Sequence, residues 1–298
     1  MTAIRALSAP LTLVLGKGGV GRSTVARVLT QAARDAGLRA RCVELGPGSG
    51  RARSSAATPE VHSGERVLRI DPGQALEDAA APVFGSRALA RAALGNFAVK
   101  RLLDVLPGIH EYALLLSAVD LVGADLANPC ERVIVDMPAT GHGLSWLGAA
   151  QRFARLVPKG RSREQADRLD ATLRDPLQTA LVVTCVPEPL VLAETRELRE
   201  ELRAQLGRDA DLLVFNRMPE VPAGAARAAQ RLAADDTTLA PAARQLIAWL
   251  AAREDTRALA VTAAAGVPFI SLPDSSGRKQ PTTTDTPLGG WAAHQELS

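Results

Sequence analysis

Leu11-Thr12-Leu13-Val14-Leu15-Gly16-Lys17-Gly18-Gly19-Val20-Gly21-Arg22-Ser23-Thr24 is the stretch on which the reading of this chain turns. An apolar run too short for a helix stops at a glycine-rich turn. Helical spacing follows at once, with Val25, Val28, Leu29 and Ala32 on one face and Gly37 placed to end it. A second apolar run, Arg41 to Leu45, completes a strand-turn-helix-strand unit.

Strand-like runs recur at Arg66 to Ile70, Arg132 to Asp136, Ala180 to Cys185, Asp211 to Phe215 and Val267 to Leu272. Alternation with helix-like segments predicts an α/β fold, a doubly wound and mostly parallel sheet with helices on both faces. One domain over 8–273 is expected, with a helical insertion over about 73–128. There Leu89, Ala93, Phe97, Val99, Leu102, Leu103 and Leu106, then Tyr112, Leu115 and Leu116, recur at helical spacing. Gly46 to Ser63, rich in Gly, Ser, Ala and Arg, reads as a mobile loop, and 274–298 as a disordered tail.

The chain has 298 residues, 47% of them hydrophobic, enough for a core without disulfide staples. No apolar run approaches the roughly 18 residues of a bilayer span, and the amino terminus lacks a signal-peptide pattern, so a cytoplasmic protein not integral to a membrane is expected. Cys42, Cys130 and Cys185 stand far apart, as buried thiols rather than a disulfide framework or local zinc site. The net charge of +3 is dispersed: in Arg196-Glu197-Leu198-Arg199-Glu200-Glu201 both signs mix, the pattern of a solvated helix face. With aromatics at 3%, base stacking has little material, so no nucleic-acid partner is expected.

The glycine-rich turn opens a helix, so its N–H groups can close around a phosphate. Gly16 to Ser23 fits G-x-x-x-x-G-K-[ST] except that Arg22 replaces the lysine that reaches the β- and γ-phosphates. Gly16, Gly18 and Gly21 also satisfy G-x-G-x-x-G, with Glu44 near the place of a ribose-binding acid, so an NAD-dependent oxidoreductase stays open. The pair Ser23-Thr24 favours ATP or ADP, its hydroxyls suiting magnesium and an α-phosphate. Asp136, ending a buried apolar strand, is the expected second magnesium residue, although an aspartate is also a common strand stop.

Lys17 before Gly18-Gly19-Val20-Gly21, with Asp136-x-x-x-Thr140-Gly141-His142, resembles the arsenical-pump ATPase (ArsA) family, which includes the ATPases that deliver tail-anchored membrane proteins. Thr184-Cys185-Val186-Pro187-Glu188 with Glu194-Thr195 is similar to the family's T-x-P-E segment, preceded by Leu173-Arg174-Asp175-Pro176. Asn216 is similar to its adenine-contacting asparagine. Ile70-Asp71-Pro72 and Leu106-Pro107-Gly108-Ile109 also resemble segments of its helical region. The resemblance covers most of Leu11 to Pro273. It implies a P-loop ATPase in which Gly16, Gly18, Gly19, Val20, Gly21, Arg22, Ser23 and Thr24 cradle phosphate, Ser23 and Asp136 hold Mg2+, and Asn216 lies near adenine. It further implies that Lys17 crosses a dimer interface to the partner's nucleotide.

The departures matter as much. Where the family carries Asp-Pro-Ala after the second strand, this chain has Gly46-Pro47-Gly48, so the water-positioning carboxylate is missing; Glu44 points to the same side as Gly46 and could replace it only if the loop shifts. Arg22 keeps the charge of the missing lysine but widens it to a planar fork. The expectation is an ATP-dependent switch with impaired hydrolysis at its own site, as a homodimer or a heterodimer with an intact related ATPase subunit. A non-hydrolysing regulatory or scaffold subunit is the alternative. No Met falls between Gly73 and Asn128 to build an adaptable client groove, and the segment from His142 to Ala180 leaves little room for a second helical lobe, so a protein client stays open without support. His142 reads as a sensor of nucleotide state rather than a metal ligand.

Overall fold

Strands that are apolar along their whole length need cover on both faces, and the computed structural model supplies it. It describes residues 8–45, 57–62, 65–106, 108–123, 130–139, 145–220, 224–234 and 240–273. In chain order, β1 (Leu11–Gly16) leads through α1 (Arg22–Asp35) to β2 (Ala40–Leu45). Next come β3 (Ala57–His62), β4 (Glu65–Ile70), α2 (Pro72–Phe84), α3 (Arg87–Leu94), α4 (Phe97–Val105) and α5 (Ile109–Asp120). β5 (Arg132–Asp136), α6 (Ala149–Leu156), α7 (Arg161–Arg174), β6 (Thr179–Cys185) and α8 (Pro189–Leu206) follow. The described chain closes with β7 (Leu212–Met218), α9 (Ala225–Ala234), α10 (Ala240–Ala264) and β8 (Phe269–Pro273).

The strands form one eight-stranded sheet, β3-β4-β2-β5-β1-β6-β7-β8, in which all but β3 run parallel. The predicted doubly wound α/β architecture is therefore present. β1 is buried at every position between β5 and β6. The connection leaving β1 runs to one side of it and that leaving β6 to the other, so the carboxyl ends of these two neighbours form the topological switch point of the sheet.

Successive side chains alternate between two cores. Val14, Cys42, Ile134, Val182 and Val214 pack under Val25, Ala26 and Leu29 of α1. Leu13, Leu15, Val135, Val183 and Phe215 face the larger core with α5, α7 and α8. On α1 the buried face is Val25, Ala26, Leu29 and Thr30, a rotation from the expected stripe that leaves Val28 and Ala32 half-buried. The helix stops at Gly37 as expected, the Leu38 N–H bonding the Ala33 carbonyl and the Gly37 N–H that of Arg34.

One expectation needs correction. Part of the stretch read as a mobile loop is a strand: β3 pairs antiparallel with β4 at the sheet edge. An edge strand is held mainly by its ladder, so Thr58-Pro59-Glu60 carries no apolar run, and a proline without an N–H is tolerated there. The segment before β6 holds the two helices α6 and α7. Phe153 of α6 stacks on buried Tyr112 at 4.2 Å, and Arg168 of α7 pairs with Asp120 at 2.8 Å, so both join the insertion helices in one layer. Between β4 and β5 the described residues hold the four helices α2 to α5. Among the described residues no helix is long and apolar enough to cross a membrane. Residues 46–56 and 63–64, the Thr140-Gly141-His142 segment and the tail from Asp274 lie outside the described residues.

Candidate functional site: the loop between β1 and α1

Strand alternation assembles the site. Glu44 of β2, Asp136 of β5, Thr184 of β6 and Asn216 of β7 lie at or near the carboxyl ends of their strands, at positions that project to the α1 face. Glu44 stands in register with Asp136, and Gly16 with Thr184.

The glycines are fixed by close approach. A Cβ on Gly16, at φ 150°, would lie 2.4 Å from the Thr184 carbonyl oxygen, so the loop leaves β1 pressed against β6. On Gly21, at φ 90°, it would lie 2.2 Å from Nδ2 of Asn216, which donates to the Val20 carbonyl at 2.8 Å. Asn216, expected near adenine, thus also clamps the loop. Gly21→Ala should lower stability by about 1–3 kcal/mol through its left-handed backbone and the clash. Calorimetry on Gly21→Ala and on Gly21→Ala/Asn216→Ala checks this: the double variant should recover the clash component and keep the backbone component.

Gly21 caps α1 without a side-chain hydrogen bond, and the first turn holds no acidic residue but the cationic Arg22. Ser23 instead donates to Oδ2 of Asp136 at 2.5 Å, joining residues 113 positions apart. Oδ1 of Asp136 is buried with no protein partner, and so is Oγ1 of Thr184 beside Gly16. Burial pushes the Asp136 carboxyl above its usual range; Ser23, Arg22 and Arg27 pull it back, and Glu44 adds to the rise. A hydroxyl beside a carboxylate with an unused oxygen is a donor set suited to a hard divalent cation, so the residues present fit magnesium.

Arg22 takes a different course from the lysine it replaces. Its stem passes over Gly16 and its guanidinium donates to the Met137 carbonyl at 2.5 Å, beside Asp136. Burial lowers the Arg22 pKa and Asp136 opposes the drop. Lys17 is partly exposed and pairs with Glu194 of α8 at 2.9 Å. Gly18, Gly19, Ser23 and Thr24 are exposed, whereas Val20 is buried and anchors the loop.

Glu44, weighed as a ribose acceptor or substitute water-positioning group, is engaged by Arg69 at 2.9 Å and Arg27 at 3.6 Å. Sequence reasoning missed both arginines and the Glu194 contact, because no local pattern signals a partner on another element.

The cysteines do not gather. Cys42 lies in the α1-side core and Cys185 in the opposite one, burial pushing each thiol up to about 12. Among the described residues no His, Cys, Asp and Glu cluster could hold a metal ion as a group of three or more. A separate cavity of about 360 Å³ lies in the helical layer, with Leu76, Leu94 and Leu103 in its lining beside the Arg91 and Glu77 pair, and no residue of the β1–α1 loop lines it. Compared with family models and with curated proteins, the chain matches none.

Proposed function

We propose that this chain is a nucleotide-dependent switch subunit of the arsenical-pump ATPase type, binding magnesium with ATP or ADP at the β1–α1 loop and hydrolysing slowly if at all. The observation that carries this reading is the meeting of Ser23 and Asp136 at the sheet's switch point, with a buried carboxylate oxygen left over. Loop N–H groups from Gly18 to Thr24 receive phosphate, Val20 and Asn216 hold the loop's shape, and Ser23 with Asp136 holds the cation. Magnesium held by Ser23 and Asp136 would supply charge neutralisation at the phosphate oxygens.

Arg22 supports slow turnover. A guanidinium drawn onto the Met137 carbonyl is turned toward β5, away from the terminal phosphate a loop lysine serves. Glu44 stands in two ion pairs, which removes it as a ready replacement for the carboxylate missing at Gly46. The non-hydrolysing reading, in which this chain pairs with an intact ATPase subunit and lends Lys17 across the interface, draws on the same two observations.

Titration with ATP and ADP, with and without magnesium, beside a phosphate-release assay, tests the proposal. Magnesium-dependent binding is expected, with turnover well below the ~1–1000 per second common for enzymes. Failure to bind either nucleotide overturns it. NAD binding weakened by Glu44→Ala would establish the dinucleotide reading instead. In Arg22→Lys, phosphate release should rise at least about tenfold, a barrier change of ~1.4 kcal/mol. Unchanged release with intact binding would favour the non-hydrolysing subunit.

A further inference from the structure

Lys17 lies at the mouth of the loop, yet its ammonium is bound within its own chain, to Oε1 of Glu194 at 2.9 Å, with side chains 41% and 28% exposed. We propose that Glu194 competes with nucleotide phosphate for Lys17, so that α8 restrains the loop until a nucleotide displaces the carboxylate. The inference rests on the nucleotide-binding reading above and adds a regulatory contact to that site.

The fold explains which partner moves. β6 runs beside β1, and the chain turns at Val186-Pro187-Glu188 into α8, whose first turns therefore stand next to the loop. α8 is fixed along its length: Leu192, Leu198, Leu202 and Leu206 are buried, and Arg199 is tied to Asp209. Glu194 lies one turn beyond Leu190, which is 73% exposed, on a side of α8 that faces the loop rather than the core. A carboxylate carried on a rigid helix meets a lysine whose flexible stem lets the ammonium be drawn elsewhere.

The magnitudes allow competition. A partly exposed ion pair is weak and screened by salt, whereas a polyphosphate brings several negative charges to the same ammonium. Nucleotide should therefore win, at a modest loss of affinity that disappears when Glu194 is neutralised. Until then Lys17 is unavailable to any second subunit.

The test measures Mg–ATP affinity for the wild-type chain, Glu194→Gln, Lys17→Gln and the double variant, at low and high ionic strength. Glu194→Gln should bind about two- to fivefold tighter at low salt, the gain shrinking at high salt. In the Lys17→Gln background it should have no effect, because the contact is already gone. A gain that persists without Lys17 would show through-space repulsion of phosphate and overturn the latch. An unchanged or weakened affinity in Glu194→Gln, with normal wild-type binding, overturns it as well. A wild-type chain that binds no nucleotide refutes the underlying reading and is distinguishable from both results. Thermal unfolding of Glu194→Gln should match the wild type, since a partly exposed ion pair contributes little.

Discussion

Asp136→Ala is expected to weaken Mg–ATP binding about a hundredfold and to erase its magnesium dependence, while leaving the fold as stable as before or slightly more stable. The two halves come from one fact. Oδ1 of Asp136 is buried without a partner, and burial raises the carboxyl's pKa. A carboxyl whose folded pKa lies above its unfolded value penalises folding once ionised. The cost is present above the folded pKa and is relieved as pH falls through it. Removing the group relieves the cost, and removes the donor that a cation would offset. Titration with and without magnesium, beside calorimetry at neutral pH, separates the halves. A variant that loses several kcal/mol while keeping nucleotide affinity would make Asp136 a structural strand end.

Arg199→Ala should lower the unfolding free energy by about 3 kcal/mol, near the lower end for a broken buried pair. Arg199 is 3% exposed and grips Asp209 through Nε at 3.0 Å and Nη2 at 2.8 Å, while Nη1 donates to the Ala263 carbonyl of α10. The partial exposure of Asp209 and its second partner, Arg203, keep the loss from being larger. Burial raises the Asp209 pKa, but hydrogen bonds from Arg199, the Ala210 N–H and Arg203 outweigh it and hold the carboxyl below its usual range. Its stabilisation is therefore complete above the unfolded value near ~3.9 and is lost as pH falls through the folded pKa. Denaturant unfolding at several pH values checks this: the gap between wild type and variant should be full at neutral pH and narrow in acid. A gap independent of pH would place the effect in the Ala263 contact and in packing.

These two aspartates respond to acid in opposite directions, and the difference marks their parts in the molecule. Asp209 stabilises the junction between α8, β7 and α10. Asp136 instead carries a burial cost, which a cation held there under the proposed function would offset.

The amino-acid order made the seven parallel strands legible, most plainly β1, β5 and β6, where cover on both faces demands a run that is apolar along nearly its whole length. It also determined the loop, since Gly16 and Gly21 take backbone and packing positions where no other side chain fits well. Asp136 was legible as the end of an apolar run, and its meeting with Ser23 followed from the motif. β3 was not legible: ladder hydrogen bonds at a sheet edge leave little trace in composition. Nor was Arg199. Within Arg196-Glu197-Leu198-Arg199-Glu200-Glu201 it reads as one more charge on a solvated face, and its neighbours Arg196, Glu197, Glu200 and Glu201 are indeed exposed. Only the approach of Asp209 and of α10 buries it. The course of Arg22 onto Met137, the pairing of Glu44 with Arg27 and Arg69, and the hold of Glu194 on Lys17 share that origin. Period and turn chemistry act over a few residues, whereas the partner of a charge is chosen by strand order and helix packing, which join positions far apart in the chain.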